Sequence, residues 1–552
     1  MSLYFFDNPT NVNRIFPTET QTIDSIQLEK IVNQRLHGLY DLGYLAATSE
    51  VFYKPENKVE VHFFAKQTFK TVYISQGNLS DEIINKVGFD SKNFKNRPFS
   101  YKKITKVFHS ILEYAENHGY PFASIKLDSI SLTKNSVAAW LNYRSGPMIV
   151  FDSLRISGYD KVKSSYLMTH LGIYRGKPYE EKLIKEISNK LNLLSFVSLT
   201  ETPEITILDG ECIIFLNLSQ NKVSLFDGIL GVLPSQKNDN GVLITGQLNL
   251  DLRNLFSTGK RLALEWQSYD AGSQLLDVLY FHPNLFRTPI NAQGEFYLLK
   301  QDTTFINREL ALEFSLLSKN SNQIGFRTEI ISSRLISTSG LEDITELPAN
   351  TDYNLNYYGL NYRVNRLNDV NNPTKGWGLL LNGLVGQKKI IINPVLSDDI
   401  YNDVELKTIQ YKFTGEIEKF WSIYKNILFR SKLSAGYLNG DNLFQSDLFR
   451  IGGLRSLRGF NENQFYTTGF GISNLELRAM FSKETYFLIF FDQGVLSDDF
   501  ENEIQFPFGT GAGFSFNTNA GIFNFIIALG KSSEQQFGIN YSKIHFGYLS
   551  RF

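Results

Sequence analysis

The sequence predicts an α+β repeat region followed by a closed, transmembrane antiparallel β-barrel of about sixteen strands. Three observations carry this. Aromatic residues are abundant, with 45 Phe and 28 Tyr among 552 residues, yet no run of about 18 apolar residues forms a membrane-crossing helix. Strands alternating apolar-out and polar-in reconcile the two, because alternation dilutes the hydrophobic signal by half. The pattern also changes near residue 222, from helical spacing to period-two alternation, and the first part repeats at a fixed interval.

At the N-terminus, Met1-Ser2-Leu3-Tyr4-Phe5-Phe6 has no basic segment leading into a long apolar core, so no signal peptide is legible. Residues 1–25 show neither an opening strand nor a first helix, and the first repeat reads as partial. Helical spacing appears in Ile104, Phe108, Ile111, Leu112 and Ala115, and again in Leu183, Ile184, Ile187 and Leu191. Similar helix-to-strand junctions recur as Leu42-Gly43-Tyr44-Leu45-Ala46, His118-Gly119-Tyr120-Pro121-Phe122-Ala123 and Leu194-Ser195-Phe196-Val197. Their aromatics, Tyr44, Tyr120 and Phe196, stand 76 residues apart each time, as stacked copies of one supersecondary unit require. The second copy opens with Phe69-Lys70-Thr71-Val72-Tyr73-Ile74 and the third with Val150-Phe151-Asp152-Ser153-Leu154-Arg155-Ile156; each reads strand, helix, helix, strand, strand. Domain boundaries are expected at 1–68, 69–147, 148–221 and 222–552.

From Ser224 to Phe552 there is room for about sixteen strands at roughly 20 residues each. Leu262, Leu264 and Trp266 share one face, against Arg261, Glu265 and Gln267. Phe523, Phe525, Ile527 and Leu529 share another. In the last strand Ile544, Phe546, Tyr548 and Phe552 oppose Lys543, His545 and Arg551. Charges on the inner side of nearly every strand favour a wet lumen over a soluble sandwich, and lipid tolerates no open strand edge, so the sheet must close.

Composition excludes several functions. The net charge of −1 offers no field for nucleic acid. A single cysteine, Cys212, forms no intrachain disulfide, and the seven histidines make no metal-ligand pair, so neither metal nor cofactor is expected. No GxSxG elbow occurs, and Gly530-Lys531-Ser532 has Phe525 where a phosphate loop needs glycine. Gly509-Thr510-Gly511-Ala512-Gly513 reads as a strand permitting close backbone approach. The chain is not expected to be an enzyme.

Several segments resemble the BamA/TamA outer-membrane protein assembly superfamily. The repeats, over roughly residues 25–221, resemble its POTRA domains, whose exposed sheet edges can accept an extended strand. Asn254-Leu255-Phe256-Ser257-Thr258-Gly259 is similar to its first barrel hairpin, and Asp369-Val370-Asn371-Asn372-Pro373-Thr374-Lys375-Gly376 to a mid-barrel turn; both also suit plain turn chemistry. His545-Phe546-Gly547-Tyr548-Leu549-Ser550-Arg551-Phe552 looks like the C-terminal assembly signal, with Gly547 and Phe552 in place and Ser550 departing from its usual hydrophobic residue. The sharpest likeness is Phe449-Arg450-Ile451-Gly452-Gly453-Leu454-Arg455-Ser456-Leu457-Arg458-Gly459-Phe460, which closely resembles the family's loop motif.

The resemblance implies that this loop folds back into the lumen, where Gly452, Gly453 and Gly459 supply turns of positive φ. Leu457, Arg458, Gly459 and Phe460 form its motif, and an arginine drawn from water there needs a carboxylate. Strand parity supplies two. If Leu475, Leu477 and Ala479 face lipid, Glu476 and Arg478 face the lumen; if Phe487, Ile489 and Phe491 face lipid, so does Asp492. The resemblance further implies a lateral gate between the last strand and the first (about Leu225–Val232, with Gly228 and Gly231). The expected location is the outer membrane of a Gram-negative bacterium, with the repeats in the periplasm; such a protein needs a leader, so a mature or shortened form is expected. Expected partners are unfolded outer-membrane or secreted polypeptides and outer-membrane lipids. A large periplasm-spanning inner-membrane partner or lipoproteins stay open, as do three roles: TamA-like assembly or translocation, BamA-like general insertion, and two-partner secretion.

Overall fold

The computed structural model describes residues 2–6, 25–55, 58–69, 71–95, 100–133, 136–159, 161–234, 242–270, 272–317, 322–341, 344, 346–369, 372–482, 484–498, 503–518 and 521–551. The chain divides into two compact units. One comprises Met1–Ser153, Tyr174–Lys185 and Ile205–Ile214, and the other Leu154–Ile173, Glu186–Glu204 and Phe215–Phe552.

Three small sheets precede the barrel. The first joins β1 (Ser2–Phe6), β2 (Thr48–Lys54) and β3 (Lys58–Phe64) in the order β1-β3-β2, with α1 (Ser25–Asp41) between β1 and β2 in sequence. The strand at Ser2–Phe6 corrects the expectation that residues 1–25 hold no opening strand. Its five residues are too short to show alternation, and it is defined by parallel pairing with Glu60–Phe64, a partner some 58 positions away in sequence.

The second sheet comprises β4 (Thr71–Ser75), β5 (Ser124–Leu132) and β6 (Ser136–Arg144) in the order β4-β6-β5, again with a parallel first pair and an antiparallel second. It carries α2 (Asp81–Val87) and α3 (Tyr101–Glu116). The helical stripe buries Ile104 and Ile111 against Val72, Ile74, Val137 and Leu141. The third sheet has β7 (Val150–Ser157), β8 (Val197–Leu199), β9 (Glu204–Leu208) and β10 (Glu211–Gln220) in the order β7-β10-β8, with β9 also on β10. Its helices are α4 (Ser164–Leu171) and α5 (Glu181–Asn192).

The 76-residue period has a concrete meaning at the junctions. Asp41 Oδ1 accepts the backbone N–H of Tyr101, at 2.5 Å, and so caps α3 of the next copy. Asn117, 76 residues on, does the same for α5 through the Lys182 N–H at 2.9 Å. The carbonyls of Gly43 and Gly119, both at positive φ, accept N–H groups of Phe69 and Ile149 at 2.8 Å. The first and second copies thus each satisfy a helix N-terminal group of the copy that follows.

The second unit is dominated by a closed antiparallel barrel of sixteen strands, from Leu225–Pro234 to Lys543–Arg551, with a three-residue segment, Glu503–Gln505, extending one strand edge. Alternation along Tyr486–Asp498 shows how it sits in a membrane. Phe487, Ile489 and Phe491 are exposed outward at 43–48%, whereas Leu488, Phe490 and Asp492 are buried inward. One wall departs from the expected charged lumen. Strands Phe508–Asn517 and Ile522–Lys531 turn Gly509, Gly511, Gly513, Ala528 and Gly530 inward. The reason lies in what packs on them.

The turn at Asn254–Gly259 bears the third repeat. The Gly259 α-carbon, at φ +70°, faces the Tyr166 ring so closely that a Cβ would lie 2.2 Å from its hydroxyl. Ser257 O accepts the Lys163 N–H at 3.1 Å, and Arg253 Nη1 donates to Ser195 Oγ at 3.0 Å. Plain turn chemistry does not require these contacts; they come from α4 resting on the hairpin.

Candidate functional site

Between strands Ile427–Gly440 and Gly469–Met480 the chain makes a long loop that turns into the lumen. Its stem is a short hairpin, Phe449–Ile451 paired with Phe465–Thr467. Gly452 and Gly453 turn at φ +127° and +92°, where a side chain would strike Asn461 O and the Glu462 carboxylate. The tip is pinned by burial as well as charge: Leu457 and Phe460 are fully enclosed with Ile451, Phe465, Ile472 and Leu496.

Arg458 lies between them, buried at 5% exposure. Its Nε and Nη2 donate to Asp492 Oδ2 and Oδ1 at 2.7 and 2.6 Å, a bidentate fork. Nη1 donates to Glu476 Oε1 at 2.7 Å, and the Arg458 backbone N–H donates to Asp492 Oδ2 at 3.1 Å. The guanidinium carbon stands 3.8 Å from the centroid of the Phe490 ring, which blocks water from below. Both acids indicated by strand parity thus meet the arginine, Asp492 fully buried and Glu476 at 4% exposure.

Several members of this site carry no motif signal. Glu476 also receives Arg430 Nη1 at 2.9 Å and Arg478 Nε at 2.8 Å, and Arg430 reaches Glu418 at 2.6 Å. Three guanidiniums therefore face three carboxylates, which lets charge be held away from bulk water without a net excess. Parity puts Arg478 on the inner face with Glu476 and could have put Arg430 there, but only the register, Arg430 opposite Glu476, shows the pairing. The glycine strand read as permitting close backbone approach does so, and the structure shows that the loop is what approaches it. A Cβ on Gly509 would lie 1.9 Å from Arg458 O, and one on Gly530 would lie 2.5 Å from Gly459 O. Gln535 Nε2 clamps this contact by donating to the carbonyls of Gly459 and Gly530, each at 3.0 Å. The loop backbone thus occupies the space that side chains would fill.

The closing edge of the barrel is different in kind. Among the described residues, the first and last strands pair at Leu225↔Arg551 and Phe226↔Ser550. The first strand pairs ten residues with its other neighbour, and the last pairs seven with its own. Gly228 and Gly231 lie beyond the two seam pairs, opposite Leu248 and Thr245; Gly547 faces Asn524 on the other side. Phe552 lies outside the described residues.

A family model described as the Omp85 superfamily domain matches residues 254–552. Among solved structures, CdiB from Acinetobacter baumannii has a TM-score of 0.57 at 13% identity, over 96% of this chain and 100% of that one. CdiB from Escherichia coli gives 0.55 at 15% identity, over 97% and 100%. BamA from Haemophilus ducreyi lacking POTRA domains 1–3 gives 0.41 at 14%, over 87% and 100%. At such identities the two CdiB structures show a shared fold and no more. No curated protein matches the sequence. The family domain spans more than half of the chain and includes the loop, both carboxylates and the last strand: the protein is an outer-membrane β-barrel belonging to the Omp85 superfamily.

Proposed function

We propose that this protein is a TamA-like assembly and translocation factor that passes client polypeptides through its seam, without covalent chemistry. The observation that carries the reading is the short closure, two pairs among the described residues, between Leu225–Phe226 and Ser550–Arg551. An edge of backbone N–H and C=O groups in lipid must find partners, and an incoming strand can provide them in place of the barrel's own. Three sheets of one strand order ahead of the barrel support the TamA-like form over two-partner transporters, which carry two repeats. The repeats would stand in the periplasm, where their open edges meet unfolded chains. The Arg458 site holds the loop as a fixed support inside the barrel while the seam works.

The test is a disulfide across the seam, Phe226→Cys with Ser550→Cys, in a background where the buried Cys212 is replaced by serine. Oxidised protein should lose insertion of a β-barrel client into liposomes, and reductant should restore it. Full insertion by the locked form sinks the proposal. Continued export of a soluble polypeptide by the locked form would instead favour the two-partner secretion reading, because that route uses the pore.

A further inference from the structure

We infer that the lumen loop is held at two independent points, with Lys388 and Asp447 as its second anchor. The inference rests on reading the loop as a support inside the barrel, and it adds a positioning pair with no part in the loop motif.

Lys388, on strand Gly376–Ile390, has no exposed surface. Its ammonium pairs with Asp447 and donates to Asn442 O at 2.9 Å, both on the descending limb of the loop. The same Nζ stands 4.3 Å from the Tyr353 ring centroid and 4.2 Å from that of Phe444, so two aromatic faces enclose the charge. Asp447 Oδ2 also accepts the Phe444 N–H at 2.8 Å, so one carboxylate both shapes the turn and holds the cation. Two wall residues complete the root. Asn307 Nδ2 donates to Ser446 O at 3.1 Å, and Ser446 Oγ bonds Tyr353 Oη at 3.3 Å. Over this root sits an apolar cluster of Tyr353, Leu384, Ile390, Leu396, Ile400 and Phe444. Water has little access there, and neither ion can be stranded without a large penalty.

Position around the barrel makes the two anchors separate. Asn307 is on the sixth strand and Lys388 on the ninth, whereas Glu476 and Asp492 are on the twelfth and thirteenth. In a ring of sixteen, the sixth and thirteenth are nearly opposite, and the ninth, which carries Lys388, is a quarter of the ring from the thirteenth. The loop therefore crosses the lumen as a strut, and releasing Arg458 alone loosens its tip while the root stays attached. Sustained opening of the pore requires release at both ends.

Single-channel conductance of the purified full chain in planar bilayers tests this and needs no client, so it can succeed or fail apart from the seam proposal. Arg458→Ala and Lys388→Met should each give brief, partial openings. The combined variant should stay open at least tenfold longer than either. Because Lys388→Met leaves Asp447 buried and unpaired, the comparison is repeated with Lys388→Met/Asp447→Leu, which removes both charges, and with Lys388→Arg, which should keep the closed state. Sustained full opening by Arg458→Ala alone overturns the inference. So does a combined variant, in either form, that behaves as Arg458→Ala does.

Discussion

Replacing Arg458 with alanine removes three charge-assisted hydrogen bonds and the cation above Phe490, but the cost is not shared evenly. Glu476 keeps Arg430 and Arg478, so its charge stays compensated. Asp492 does not. It is fully buried, and its bonds come from Nε, Nη2 and the backbone N–H of residue 458, of which only the last survives. Stranding a buried carboxylate in this way costs about 3–5 kcal/mol. Removing both charges with Arg458→Met and Asp492→Leu should cost about 1–2 kcal/mol, because no ion is left unpaired. The double variant is then more stable than Arg458→Ala by about 2–3 kcal/mol. Hydrogen exchange at the amides of Leu457 and Gly459 reads it directly. Arg458→Ala should raise exchange by about 10² to 10⁴, and the double variant by much less. If the single substitutions each change exchange less than threefold, or if the two effects simply add, the latch as drawn from these distances is wrong.

Gly509→Leu should expel the loop tip while leaving the strand paired, since a Cβ there overlaps Arg458 O; protease nicking within residues 452–464 would report it. Asp41→Ala and Asn117→Ala should each weaken one repeat junction by about 1 kcal/mol, seen as faster amide exchange at Tyr101 or Lys182 with the barrel unaffected. His170, on α4, is partly buried and its Nε2 donates to Lys190 O at 3.1 Å; burial lowers its pKa to about 4. The folded value lies below the ordinary 6.5, so its contribution is complete above that pH and is lost as pH falls through 4. Allowing for partial exposure, acidification should cost the third repeat at most about 2 kcal/mol, and His170→Gln should remove that pH dependence of exchange in α4.

Reading the site from sequence succeeded where chemistry is local or periodic. Arg458 stood out because an arginine among glycines and aromatics needs a partner, and period-two alternation put Glu476 and Asp492 on the inner face. Parity put Arg478 there too, but its pairing, like the roles of Arg430 and Gln535, depends on register and on loop placement. The strand at Ser2–Phe6 escaped notice for a similar reason: it exists only through a partner far along the chain. Lys388 carries no signal in the sequence, since nothing in its neighbours announces Asp447, 59 residues away.

The sequence by itself determined the barrel, the repeat and the inward sense of both acids. Each follows from a short period or a recurring spacing, and those are properties of the covalent chain. Only the tertiary structure decided which charges meet, why one wall is glycine, and how little of the closing seam is paired. Those depend on the distance between segments that the chain leaves far apart, and a sequence records order without recording that distance. The Arg458 loop shows both sides: its glycines and arginine were legible, but the space it fills was made by Gly509 and Gly530 on strands that follow it.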